Sequence, residues 1–233
     1  MDPVAGRKAV AAPPERDLWL LADDDTVRPC VVAVSVWRMR SVALHRALTE
    51  AADPPLRALP DDVVTLLGEL DAPPRLGAHL RAVHDVAASL VTSLADACPG
   101  LAVHAHEVLF GAATHDIGKV VHPSELSGPG SAHEPAGYEL LVSHGVEPRL
   151  ARFARDHGSV AYDGLSVEDL LVVLADKVWK GKRVPGLEDE VTARCCAASG
   201  EQPWEAFLRL DDLLERLARD ADARLAFQSR HPL

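Results

Sequence analysis

The apolar run Val108-Leu109-Phe110-Gly111-Ala112-Ala113 constrains the fold most, because it closes on Thr114-His115-Asp116-Ile117-Gly118-Lys119. An uninterrupted run of this kind reads as a buried helix, and a His and an Asp side by side are an unusual way to end one. Neighbours on a helix point about 100° apart, so the two side chains do not stack, but they can converge on a third object lying between them. A metal ion is the simplest such object, since imidazole nitrogen and carboxylate oxygen are both common ligands. The sequence predicts that Gly118 ends the helix and that Lys119 lies within reach of whatever binds there. Taken alone, the pair is equally compatible with a frayed helix end.

The rest of the chain favours more helices. Hydrophobic residues make up 48% and aromatics only 4% of the 233 residues, so Ala, Leu and Val must do the packing. That mixture suits helices better than a β-sandwich, and the length suits one domain with an appendage. A net charge of -11 argues against partners such as long nucleic acids or anionic membranes. Four cysteines, Cys30, Cys98, Cys195 and Cys196, show no CxxC spacing, and reduced thiols in a cytoplasm are the expectation. No stretch is long enough to span a bilayer, and the amino terminus lacks the layout of a signal peptide.

Taken in order, residues 1–16 read as a loose tail. Leu18 to Leu21 form a short apolar patch, and Cys30 to Trp37 fit strand or helix equally. Asp61 caps a short helix to about Leu70. Pro73-Pro74 opens a long helix, about Arg75 to Ala97, with an apolar stripe of Leu76, Leu80, Val83, Ala87, Leu90, Val91 and Leu94 and with His84 at its margin. Further helices are predicted at about 104–118, 133–144, 148–157, 167–182, 187–198 and 204–227, with a turn-rich loop between His122 and Ser131. The expected fold class is an all-α bundle with short connections.

Four more ionisable residues, His84, His133, His157 and Asp176, lie on or beside apolar faces. A buried unpaired His or Asp is costly, so each needs a partner. Taken singly, a His at the edge of an apolar stripe is an ordinary hydrogen-bonded boundary residue. Asp176, which follows Leu171-Val172-Val173-Leu174-Ala175, is harder to explain that way. One or two metal ions at the centre of the bundle would satisfy all of them at once.

The order His84, His115-Asp116, His133, His157, Asp176 resembles the HD superfamily of metal-dependent phosphohydrolases. The flanking words His115-Asp116-Ile117-Gly118-Lys119, His133-Glu134-Pro135-Ala136-Gly137 and Ala175-Asp176-Lys177 resemble it too. The resemblance covers about residues 75 to 182. It implies an HD-domain helical bundle over 61–185, preceded by an extension of open structure over 1–60 and followed by helices packing on the core over 186–233. It also implies that His84, His115, Asp116 and Asp176 hold a first ion. His133 and His157 match the extra histidines of dinuclear members, in which Asp116 bridges the ions. The expected cofactor is therefore a pair of divalent metal ions, Fe or Mn ahead of Co, Ni or Zn.

Two such cations about 3.5–4 Å apart activate a water and neutralise phosphate charge. Lysine is scarce, with 5 residues against 19 arginines, and three of the five fall between Lys177 and Lys182. Lys119, Lys180 and Arg183, with Arg81 as a weaker candidate, are the expected substrate clamp, and Asp116 and Lys119 the expected catalytic residues. A solvated helix end accounts for the same lysines equally well. His45, His79, His104, His106, His122, His144 and His231 have no matched position and are read as surface or capping residues. The expected activity is hydrolysis of a small phosphorylated metabolite, a nucleotide first. The alternative is the mixed-valent di-iron oxygenase found among dinuclear HD proteins, and a third reading is a regulatory HD domain. The last amphipathic helix offers a surface to a second copy, making a homodimer.

Overall fold

The computed structural model describes residues 41–98, 100–158 and 161–233. Expectations for residues 1–40, among them the loose tail, the Leu18–Leu21 patch and the ambiguous segment Cys30–Trp37, lie outside the described residues. The fold is all-α, with no strand among the described residues. In chain order it comprises α1, described over 41–49, α2 (Asp61–Glu69), α3 (Pro74–Ala97) and α4 (Ala105–Thr114). Two short 3-10 turns follow, η1 (Ile117–Val120) and η2 (Pro123–Leu126). The remaining helices are α5 (His133–Ser143), α6 (Pro148–Asp156), α7 (Val167–Val178), α8 (Pro185–Ser199), α9 (Pro203–Ala218) and α10 (Ala221–Ser229).

Local chemistry accounts for most boundaries. Pro74, Pro148, Pro185 and Pro203 open their helices at the position where a missing N–H costs nothing. Ser166 and Asp169 form a capping box at the start of α7, each side chain accepting from the other's backbone N–H. Gly200, at φ 71°, ends α8 in the left-handed conformation.

α3 is the central element. It is buried almost continuously from Leu76 to Ala88, and α4, α7, α9 and α10 pack against it. α5 and α6 form a second packed pair that meets η1 and α4. An ion network then ties α4, α6 and α7 together. Arg152 on α6 donates to Glu107 on α4 at 3.1 Å and to Asp169 on α7 at 2.9 Å, and Arg149 also pairs with Glu107. Because Glu107 and Asp169 are buried and Arg152 bridges them, the network holds three helices in register, as an isolated surface pair would not.

The structure departs from the sequence expectations in three respects. α4 ends at Thr114 rather than Gly118, and Asp116, at φ -100° and ψ 10°, leaves the helical path. The segment expected as one helix over 204–227 is two, α9 and α10. Cys98 and Cys195 form a disulfide, where reduced thiols were expected, and Cys196 is free. Among the described residues no helix is long and apolar enough to cross a membrane.

Candidate metal centre

Six polar side chains that apolar packing would not tolerate singly meet in one place: His79, His115, Asp116, His133, His157 and Asp176, all buried. They arrive from helix ends. His115 and His157 follow directly after α4 and α6, and Asp176 sits in the last turn of α7. Helix C-termini carry partial negative charge and so favour a cation between them. His79 comes from the second turn of α3 and His133 from the first residue of α5.

Gly118 brings α5 this close. Its φ is not positive, so ending α4 is not its role. A Cβ there would lie 1.9 Å from the His133 carbonyl oxygen and 2.6 Å from the Gly137 nitrogen, both backbone atoms. Gly137 returns the fit, a Cβ on it lying 3.1 Å from the Gly118 nitrogen. Two bare backbones thus pass one another, and His133 reaches Asp116.

Asp116 divides the histidines between its two oxygens. Oδ2 lies 3.0 Å from His79 Nε2 and 3.6 Å from His115 Nε2. Oδ1 lies 3.0 Å from His133 Nε2 and 3.3 Å from His157 Nε2. Asp176 Oδ1 faces the first pair, 3.7 Å from His115 and 3.9 Å from His79. Two groups result, His79-His115-Asp116 and Asp116-His133-His157, each with donor atoms within 4.8 Å of one another.

The fit to a cation follows from where the ring protons sit. His115 Nδ1 is 3.0 Å from Ala112 O, and His157 Nδ1 is 3.0 Å from Ala154 O. A ring that donates from Nδ1 to a carbonyl presents in its neutral form a bare lone pair at Nε2. Both Nε2 atoms then point at carboxylate oxygens, lone pair against lone pair, and a cation shared among them removes the conflict. Four imidazoles with two carboxylates form a donor set suited to first-row divalent ions.

Burial alone would raise the Asp116 carboxyl, but with the rings protonated the charge of His115 and hydrogen bonds from His133, His157 and His79 hold it well below the usual range. Asp176 follows the same pattern: burial opposes ionisation, and His115, Lys180 and Lys177 overcome it. Burial works against the His133 charge, yet Asp116 and Glu125 together raise its pKa.

A cavity of about 310 Å³ opens onto the cluster. Three ammonium groups line it. Lys119 Nζ is 2.6 Å from Asp116 Oδ2, Lys177 Nζ is 2.8 Å from Asp176 Oδ2, and Lys180 Nζ is 3.6 Å from Asp176 Oδ1. Glu134 and Trp179 line it as well, the indole packed edge-on against the His79 ring at 4.8 Å.

Of the residues expected at the site, the structure brings together His115, Asp116, His133, His157, Asp176, Lys119 and Lys180. It does not bring three others. His84 is buried on another side of α3, its Nδ1 without a hydrogen-bond partner, and is not among the cavity residues. Five residues separate it from His79, or roughly 140° around the helix, so the two cannot share a target. His79, read from sequence as a surface or capping residue, occupies the place expected of His84. Arg81 is buried and donates to the carbonyls of Glu50, Leu56 and Arg57, fastening the segment before α2. Arg183 pairs with Glu188 at 2.7 Å and Asp211 at 2.6 Å, which ties α8 to α9. Sequence reasoning also missed Lys177, Trp179 and Glu134. His79 had a visible signal, lying i+3 from Leu76 and i-4 from Val83 on the same apolar stripe.

No curated protein and no solved structure matches the chain. Residues 76–179 match the family model of the HD domain, an interval that contains all six converging side chains. Residues 76–179 of the chain are therefore an HD domain, the domain that the ordered His and Asp motifs resemble.

Proposed function

We propose that this protein hydrolyses a phosphate ester or anhydride of a small metabolite at a two-ion centre, with nucleotides as the first class to assay. The observation that carries this reading is the division of Asp116 between two histidine groups, in a cavity rimmed by three lysines. His79, His115, Asp116 and Asp176 would hold one ion, and Asp116, His133 and His157 the other. When bound, the ions supply a nucleophilic water at neutral pH and neutralise charge on the phosphoryl group.

The chain's own residues do the remaining work. Lys119, nearest of the ammoniums to the shared carboxylate, donates to a phosphoryl oxygen and balances charge as the transition state forms. Lys177 and Lys180 receive the other oxygens or a second phosphate. Glu134, on the cavity wall, accepts from donors on the rest of the substrate. The cavity of about 310 Å³ suits a small molecule rather than a polymer.

The test is metal content of the purified protein, followed by phosphate release from a panel of nucleoside mono-, di- and triphosphates with and without oxygen. About two ions per chain and oxygen-independent release, abolished by chelation and restored by Mn²⁺, is the expected result. Oxygen uptake without phosphate release would overturn it in favour of the di-iron oxygenase.

A further inference from the structure

The three histidines of the site whose Nδ1 is held are held in two different ways. His115 and His157 end their helices, where the carbonyls of the preceding turn lack helical partners, and each ring takes one, Ala112 O or Ala154 O. His133 begins its helix. No preceding turn exists there, and the unpaired groups are N–H donors, which cannot accept from an imidazole. Its Nδ1 therefore needs an acceptor from elsewhere.

Glu125 supplies one. It sits on η2, eight residues earlier, with its side chain 11% exposed, and its Oε2 lies 2.5 Å from His133 Nδ1. The same carboxylate accepts from the backbone N–H groups of His133 at 3.1 Å and Ala132 at 3.2 Å. Gly130 leaves the room: a Cβ there would lie 2.3 Å from Glu125 Oε1 and displace the carboxylate. The loop read from sequence as turn-rich is thus folded back to deliver one carboxylate to one ring.

We infer that Glu125 is a positioning residue for the second ion, fixing the His133 tautomer and ring so that Nε2 faces the cavity. This rests on the two-ion reading above. The rival role is purely structural, a cap for α5. The two roles separate chemically, because Gln at 125 keeps an acceptor oxygen for one of the two amides but presents no negative charge to the ring. A carboxylate behind a ligating imidazole raises its basicity, and losing it typically costs about 10–100-fold in metal affinity.

The test is titration of the metal-free parent, Glu125→Gln and Glu125→Ala with Co²⁺, followed by its d–d absorption, with far-UV circular dichroism as the check on folding. The parent is expected to take up two ions. Both variants should bind one ion as the parent does and the other roughly 10–100-fold more weakly. Parental affinity for both ions in Glu125→Gln would overturn the proposal and leave Glu125 as a helix cap. Equal weakening of both ions would also overturn it, since the carboxylate touches only one histidine group. Fewer than two ions in the parent would instead defeat the two-ion reading, and the proposal with it.

Discussion

Replacing Gly118 with Ala tests whether close backbone approach builds the site. The new Cβ would sit 1.9 Å from the His133 carbonyl oxygen, where 3.0 Å is the practical limit, so α5 or η1 must retreat by about 1.1 Å. Both atoms that obstruct it are backbone, so no rotamer change relieves the clash. Overpacking of this kind costs about 1–3 kcal/mol, and rigid obstacles place it towards the upper figure. For a chain of this size each kcal/mol lowers Tm by roughly 2–4 °C, which predicts a loss on the order of 4–12 °C. The displacement is directional. It moves His133 away from Asp116 and leaves His79, His115 and Asp176, which sit on other helices, in place. Metal uptake should therefore fall from two ions towards one, and turnover, sensitive to misplacement of about 1 Å, by on the order of 100-fold. Thermal melts by circular dichroism, metal analysis and phosphate release measure the three effects. A Gly118→Ala protein with parental Tm and two ions would refute the reasoning.

Substituting His79 with Ala should remove one ion, whereas His84→Ala should leave metal content unchanged; the reverse pattern in metal analysis would return His84 to the site. Burial, with the nearby Arg57 charge, pushes His84 down to about 4, so the fold favours its neutral form. That contribution is complete above the ordinary value near 6.5 and fades as pH falls from there towards 4. It amounts to about 3 kcal/mol, and His84→Leu should flatten the fall in stability across that window relative to the parent. Lys180→Met should raise KM roughly tenfold with little change in Tm, the effect of losing about 1.4 kcal/mol of charge-assisted contact. Arg183→Met should do the opposite, costing about 1–3 kcal/mol of stability at unchanged KM, because Glu188 and Asp211 lose their partner.

His115, Asp116 and Asp176 were legible in the sequence because each interrupts or closes an apolar run, where an unpaired polar group is expensive. His133 and His157 were visible as ionisable residues beside apolar faces, but only the family pattern gave them a role, since proline and glycine around them give little periodicity. The choice between His79 and His84 turned on a helix that is buried on nearly every side. With Arg81 also buried there, a stripe drawn from Leu and Val alone cannot say which margin faces the site. Arg81 and Arg183 were misjudged for a related reason. Their charge was visible, but the carbonyls and carboxylates that satisfy it lie 24 to 34 residues away for Arg81 and 5 and 28 for Arg183. Gly118 was read as a helix terminator, its commonest use, when its function depends on Gly137 in another element.

The Cys98–Cys195 bond joins positions 97 residues apart and closes a covalent ring. His115, Asp116, His133, His157 and Asp176 all lie inside that ring, and only His79 stands outside it, on the exocyclic part of α3. A loop of this length restricts the unfolded chain by on the order of 4–5 kcal/mol in the chain-entropy account. The restriction falls on the segment that must gather five of the six side chains from four separate helices. A single peptide cut within the ring would leave both pieces tethered, while the same cut after reduction would let them part.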